Sequence, residues 1–358
     1  MTETDLGTLF DRLALAGPAR LPDKIEGSAG IVTSAGGLSL TMGAWLLCHR
    51  LRDLGCTLPI EVVHAGTEVI PDRVRAAFPA TVTFRALDAP PPGYAIKPLA
   101  LWTSSFDRCL WLDADNLPLR DPSALVSRPG PACFWPDAFR TSSGVVLSAV
   151  GRPIEALEFE SGQMVVPTRA CARALWLARA LNETYREVMY SHVHGDKDTW
   201  RLAWALAGEH ADVVPYLPLV AGHRSTCVDL WPLPVTVKIR LPGTGLRDVG
   251  LVQHDREGRP LFLHRTVREW QLHDGQAQVS WTQNLTAQVE MSRARWRPDS
   301  AGDVPSVVGT ACAWAQRRLV EIEWFPQAFG LSLPARLWLK HRFAMEAALA
   351  STLGEKAQ

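Results

Sequence analysis

Short apolar runs closed by small or polar residues alternate, along the first half of the chain, with stretches of helical periodicity. Gly30-Ile31-Val32-Thr33-Ser34 reads as a buried strand that ends in small residues and two glycines, Gly36 and Gly37. Behind it Met42, Trp45, Leu46, Leu51 and Leu54 recur at roughly helical spacing up to Gly55, with Thr41 placed to cap the helix. Ile60 to His64 and Thr81 to Leu87 predict two further strands. A proline-rich turn from Asp88 to Gly93 interrupts the pattern. A helix from about Lys97 to Phe106 then leads into a strand over Arg108 to Leu112. A strand near Met164-Val165-Val166, a long helix from about Thr168 to Met189 and another over Thr199 to Ala207 follow. Strands alternating with helices in this way predict a layered α/β domain with a largely parallel sheet.

Past Asp212 the chain turns to strands and prolines, up to Phe262-Leu263-His264. Arg297 to Pro305 has the composition of a linker, and Ala311 to Trp324 and Pro334 to Leu353 read as amphipathic helices. A length of 358 residues accommodates one α/β domain with an appendage. The expected division is a lead-in over 1–28, the domain over 29–280 and a mostly helical extension over 281–358.

Composition narrows the function. With 47% hydrophobic residues the chain can bury a sizeable core, and 37 basic against 37 acidic side chains give no support to nucleic-acid or anionic-membrane binding. Seven scattered cysteines, never spaced as CxxC, predict reduced thiols instead of a zinc site or a disulfide framework. The acidic N-terminus is unlike a secretory signal, and no apolar stretch is long enough to span a bilayer. The expectation is a soluble, cytoplasmic protein with no membrane anchor, in which the sequons at Asn182 and Asn284 carry little weight.

The chemistry concentrates at strand ends. The apolar run Cys109-Leu110-Trp111-Leu112 stops at Asp113-Ala114-Asp115-Asn116. Ligands of open α/β sheets bind beyond the carboxyl ends of the strands, and two carboxylates one residue apart can share a divalent ion, Mn²⁺ or Mg²⁺. A capped turn is the plainer reading of the same four residues. Lys97 is a candidate point charge for a diphosphate, with solvated surface lysine as the alternative. Thr33 and Ser34 are placed to meet a nucleoside. Glu160, before a turn into an apolar strand, is a candidate to orient a ligand, to stabilise positive charge on it or to act as nucleophile. Of Asp196 and Asp198 one is expected to cap a helix and the other, Asp196, to face ligand hydroxyls. His192 and His194 fit a ligand groove better than a metal, and Trp135 is a candidate to stack on a ligand ring. His264, at the end of Leu261-Phe262-Leu263, is the expected third metal ligand, with Arg265 beside it for phosphate charge; His254 is its rival.

These blocks resemble a known family. Tyr94 to Leu101, Ser104-Ser105-Phe106 and Leu112 to Asn116 look like the mannosyltransferase family that includes the fungal Golgi α-mannosyltransferases. The match continues through Phe134-Trp135-Pro136-Asp137, Glu160-Ser161-Gly162-Gln163, Gly195 to Thr199, Gln253-His254-Asp255 and Gly258 to Arg265. The resemblance implies a GT-A fold, retention of anomeric configuration and a nucleotide-sugar donor, GDP-mannose in characterised members. It also implies donor-binding places for Gln163, Lys197 and Arg265. A looser similarity to glycogenin and the lipopolysaccharide galactosyltransferases places Glu160-Ser161-Gly162 and Asp196-Lys197-Asp198 at two donor-sugar turns. The chain departs from the fungal proteins in its expected lack of an anchor and in its own tail after about Ser280, so the acceptor stays open. Other readings are a GT-A enzyme using a different nucleotide sugar on a modified nucleobase, peptide or small metabolite, and a non-catalytic carbohydrate-binding scaffold. A sugar-phosphate nucleotidylyltransferase is disfavoured because Thr33 to Thr41 contains no basic residue.

Overall fold

The computed structural model describes residues 2–20, 23–88, 90–91, 93–137, 144–193, 195–229, 238–264 and 277–280, and parts of 307–330. The strands are β1 (Ile25–Ser34), β2 (Ile60–Ala65), β3 (Val82–Leu87), β4 (Phe106–Leu112), β5 (Asn116–Pro118), β6 (Ala132–Pro136), β7 (Phe159–Pro167), β8 (Ala211–Val213), β9 (Leu219–Asp229), β10 (Lys238–His254), β11 (Pro260–His264) and β12 (Ala277–Ser280). The helices are α1 (Glu3–Leu15), α2 (Gly37–Asp53), α3 (Asp72–Arg75), α4 (Ile96–Thr103), α5 (Ala124–Ser127), α6 (Gly144–Ala149), α7 (Ala172–Asn182), α8 (Arg186–Tyr190) and α9 (Lys197–Ala207).

Seven strands form one sheet in the order β3-β2-β1-β4-β7-β6-β8. β3, β2, β1 and β4 run parallel, β7 is antiparallel to both β4 and β6, and β8 is parallel to β6. The α/β class expected from the sequence therefore holds, as a mixed sheet flanked by helices. Both faces are covered, which is why its strands read as continuous apolar runs instead of alternating ones. Ile31, Leu110 and Leu112 pack with Leu47, Leu51 and Phe262 on one side. Val32, Cys109 and Trp111 pack with Phe10, Leu175 and Trp200 on the other. A second sheet, β12-β9-β10-β11-β5, abuts the first.

Three local expectations change. The lead-in contains a helix, α1, that opens with a reciprocal Thr2–Asp5 capping box and buries Leu6, Leu9, Phe10 and Leu13. Helix α2 begins at Gly37, ahead of Thr41, whose hydroxyl donates back to Gly37 O at 2.6 Å instead of capping. The long helix breaks after Asn182. That side chain is fully buried and donates to Ala178 O (2.8 Å) and Thr199 Oγ1 (2.7 Å) while accepting from the Tyr190 hydroxyl (2.8 Å). It thereby pins α7, α8 and α9 together at the cost of helix continuation, and the sequon at Asn182 is occupied by packing. Asn284, the linker from Arg297 and the helix from Pro334 lie outside the described residues.

Candidate functional site

The site is built where the two sheets meet. β4 ends at Leu112, and Asp113 N donates to Gly162 O at 2.8 Å, carrying the β4–β7 pairing one residue further. Asn116 N donates to Asp113 O at 2.9 Å, closing the Asp113-Ala114-Asp115-Asn116 turn. β5 then pairs with β11 in a register that sets His264 opposite Asn116. His264 Nε2 comes to 3.3 Å from Asp115 Oδ1 and 3.8 Å from Asp113 Oδ2. One ligand atom from each of the three lies within 4.8 Å of the others. His254 stands apart at the end of β10, buried, with its Nδ1 unpartnered and burial pushing its pKa down to about 4.

Two glycines make this approach possible. A Cβ on Gly162 would lie 2.3 Å from the His264 ring, and one on Gly43, in α2, would lie 2.5 Å from Ala114 O in the Asp113–Asp115 turn. Gly162→Ala is expected to displace the imidazole, weaken Mn²⁺ binding at least tenfold and cost about 1–3 kcal/mol through overpacking. Calorimetry with Mn²⁺ and a urea melt read both effects, and unchanged metal affinity would show that the ring has somewhere else to go.

Charge around the turn is dense and paired. Asp113 accepts from Trp111 Nε1 at 2.7 Å and from Lys97 Nζ at 2.9 Å. Burial raises its pKa to about 6, against the pull of Lys97 and with the repulsion of Asp115. Lys97 is 4% exposed, bonds Ser161 O (3.2 Å) and Ser161 Oγ (3.1 Å), and lies 3.5 Å from Asp196 Oδ2. Burial works against its charge, but Asp113, Asp196 and Glu160 more than reverse that and raise its pKa. Burial also opposes charge on His264, yet Glu160 and Asp115 lift its pKa well above the usual imidazole range. Glu160 stays below the ordinary carboxylate range despite burial, because His264, Gly162 N and Lys97 favour its anion.

A cavity of about 1100 Å³ opens over these groups. Ser34, Gly66 and Glu68 line it at the ends of β1 and β2; Lys97, Asp113, Asp115, Glu160, Ser161, Asp196, Lys197 and His264 line the rest. Asp196 holds the N-cap position of α9 without capping it, and its carboxylate instead takes Trp200 Nε1 at 2.9 Å. Lys197 bridges Asp137 (2.6 Å) and Glu158 (2.9 Å). Thr33 is fully buried below the cavity, and Gln163 is fully buried behind Glu160. Trp135 is not a sugar platform: it is wholly buried, edge-on to Phe262 with ring centroids 5.7 Å apart, and donates to His254 O. Arg265 and His194 lie outside the described residues. Sequence reasoning missed Tyr94 as a wall of the cavity and Asn116 as a structural link. The direct succession of Asn116 on the two aspartates was the available signal for the latter.

Two carboxylates and one imidazole in a small cluster fit a divalent cation such as Mn²⁺, with ligand positions left over for phosphate oxygens. Cys48, Cys56, Cys109, Cys133 and Cys171 are buried and free, and none of them belongs to the cluster.

The sequence model of the family described as "Mannosyltransferase putative" matches residues 28–130, which hold most of β1, all of β2 to β5 and the Asp113–Asp115 turn. The resemblance read in the sequence is borne out. The α-1,2-mannosyltransferase MNN2 of Saccharomyces cerevisiae is 30% identical over 132 residues, 32% of this chain and 22% of that protein. The α-1,2-mannosyltransferase MNN22 of Candida albicans is 30% identical over 158 residues, 38% of this chain and 27% of that protein. The matches thus span about a quarter of these relatives. Among solved structures, the galactosyltransferase LgtC with donor and acceptor sugar analogues superposes with a TM-score of 0.38 at 16% identity, covering 52% of this chain and 73% of that one. The cytoplasmic expectation is corrected: the relatives matched are fungal α-1,2-mannosyltransferases, the group whose resemblance carries a Golgi setting. Among the described residues no helix is long and apolar enough to cross a membrane.

Proposed function

We propose that the chain is a metal-dependent glycosyltransferase that moves a hexose, mannose by its relatives, from a nucleotide sugar to an acceptor hydroxyl with retention of configuration. The observation that carries this reading is the Asp113, Asp115 and His264 cluster at the wall of a cavity large enough for a nucleotide sugar. A divalent cation held there supplies positive charge against the departing diphosphate. The ends of β1 and β2, with Ser34, receive the nucleoside. Asp196, locked by Lys97 and Trp200, presents its carboxylate to sugar hydroxyls. Lys97 keeps Asp113 and Asp196 at fixed separation, and Lys197 lines the same wall.

Nucleoside diphosphate release from GDP-mannose and other nucleotide sugars, with Mn²⁺ or with EDTA, tests the reading. Release from at least one donor that stops in EDTA is expected; equal release in EDTA sinks the metal role, and no release from any donor sinks the activity. An inverted anomer in the NMR spectrum of the product would remove retention. Metal affinity carries a pH signature. His264, whose pKa is raised, must lose its proton to ligate, and Asp113 titrates near about 6. Mn²⁺ affinity therefore falls as pH drops from about 8 to about 5, with proton release on binding. Calorimetry in buffers of different ionisation enthalpy reads that proton; a flat profile would exclude His264 as a ligand.

A further inference from the structure

Glu160 lies at the cavity wall, yet its carboxylate is held from behind. Oε1 accepts from Gly162 N at 2.8 Å, and Oε2 accepts from Gln163 Nε2 at 2.5 Å. Gln163 Oε1 in turn accepts from Asn116 Nδ2 at 2.8 Å. Asn116 sits opposite His264 in the β5–β11 register, so the chain of contacts closes on itself. Its last link is His264 Nδ1, 3.0 Å from Glu160 Oε1. Nδ1 is buried and has no other hydrogen-bond partner, while Nε2 faces Asp115 and Asp113. All four residues are buried, with Asn116 2%, Gln163 0%, Glu160 6% and His264 7% exposed.

We propose that Asn116, Gln163 and Glu160 form a buried relay that orients His264 as a metal ligand, and that Glu160 is a positioning residue instead of the group that attacks the sugar. The proposal rests on the metal-dependent reading above. A ligating histidine needs its second nitrogen protonated and held by an acceptor, which fixes both the ring and the tautomer with the free lone pair on the metal side. Glu160 Oε1 is the acceptor that the fold places beside Nδ1. Gly162 gives the ring its room, and Gln163 and Asn116 keep the carboxylate from swinging toward the cavity. A nucleophile needs an oxygen presented to the anomeric carbon. Here both oxygens are engaged by the protein.

The test exploits the polarity of the relay. Exchanging the two side chains in the double variant E160Q/Q163E preserves each donor and acceptor. Gln at 160 still accepts from Gly162 N and His264 and donates to Glu at 163, which still accepts from Asn116. It removes the carboxylate from the position beside His264. Mn²⁺ binding in the presence of GDP is measured by calorimetry on the full chain, and donor turnover at saturating Mn²⁺. Glu160→Ala is expected to weaken Mn²⁺ binding by about 10- to 100-fold, and the exchanged pair to return it to within about threefold of wild type, with turnover within about tenfold. Normal Mn²⁺ affinity in Glu160→Ala overturns the relay. Normal affinity with abolished turnover in the exchanged pair also overturns it, and assigns Glu160 to the sugar. Should the exchanged pair fail to fold, Gln163→Met leaves the carboxylate in place, held at Oε1 by Gly162 N but without its anchor at Oε2; Mn²⁺ binding there should weaken by at least about threefold, and wild-type binding rejects the proposal. A wild-type protein that binds no Mn²⁺ removes the metal reading and the relay together, whereas failure of the variants alone removes only the relay.

Discussion

Lys97→Met is expected to lose about 3–5 kcal/mol of folding stability, a large part of the total of an ordinary domain. The lysine head is buried among Asp113, Asp196 and Ser161, and it is the ammonium that makes the half-buried Asp113 and the buried Asp196 carboxylates tolerable in one place. Methionine fills a similar volume but leaves those carboxylates facing each other without a cation. They must then take up a proton or separate, and either change disturbs the turn that carries Asp115. The loss should shrink in acid, because protonating Asp113, whose pKa is already about 6, relieves the repulsion. Urea melts of both proteins at about pH 8 and about pH 5 measure this. A loss under about 1 kcal/mol at the higher pH would mean that water reaches the carboxylates and that the pair has the small worth of an exposed one.

Asp115→Asn is expected to reduce Mn²⁺-dependent donor turnover roughly a hundred- to a thousandfold, with little effect on stability. The side chain is 41% exposed at the cavity, and asparagine has the same shape, so the turn between β4 and β5 should persist. What is lost is one negative charge of the two that face His264 Nε2, and with it, on the proposed reading, the ability to hold a cation against the departing diphosphate. Thermal melts should overlay those of wild type while nucleotide release disappears. Turnover that survives in the variant and is indifferent to EDTA would dismiss the metal site. Reduced turnover that excess Mn²⁺ fully restores would confine Asp115 to binding the ion.

Local chemistry carried much of this protein's design in readable form. The apolar runs of β1, β2 and β4, the helical spacing of α2 and the carboxylates at the end of β4 are properties of neighbouring residues, so periodicity and composition expose them. His264 was visible as an abrupt change after an apolar run, and the Arg265 that follows it put it ahead of its rival His254. It is the β5–β11 register that brings His264 beside the two aspartates, because it sets residue 264 beside residue 116, and pairing between distant strands leaves no local trace. The same holds for Gly162 and Gly43, ordinary in the sequence and necessary only because an imidazole and a carbonyl pass where a methyl group would stand. Burial decided the rest. Lys97 became a clamp between carboxylates, Trp135 became core, and Asn182 ended a helix that periodicity would have continued. Each of these outcomes depends on which surfaces meet when the sheets and helices pack, and a polar side chain must satisfy its hydrogen bonds with whatever that packing brings.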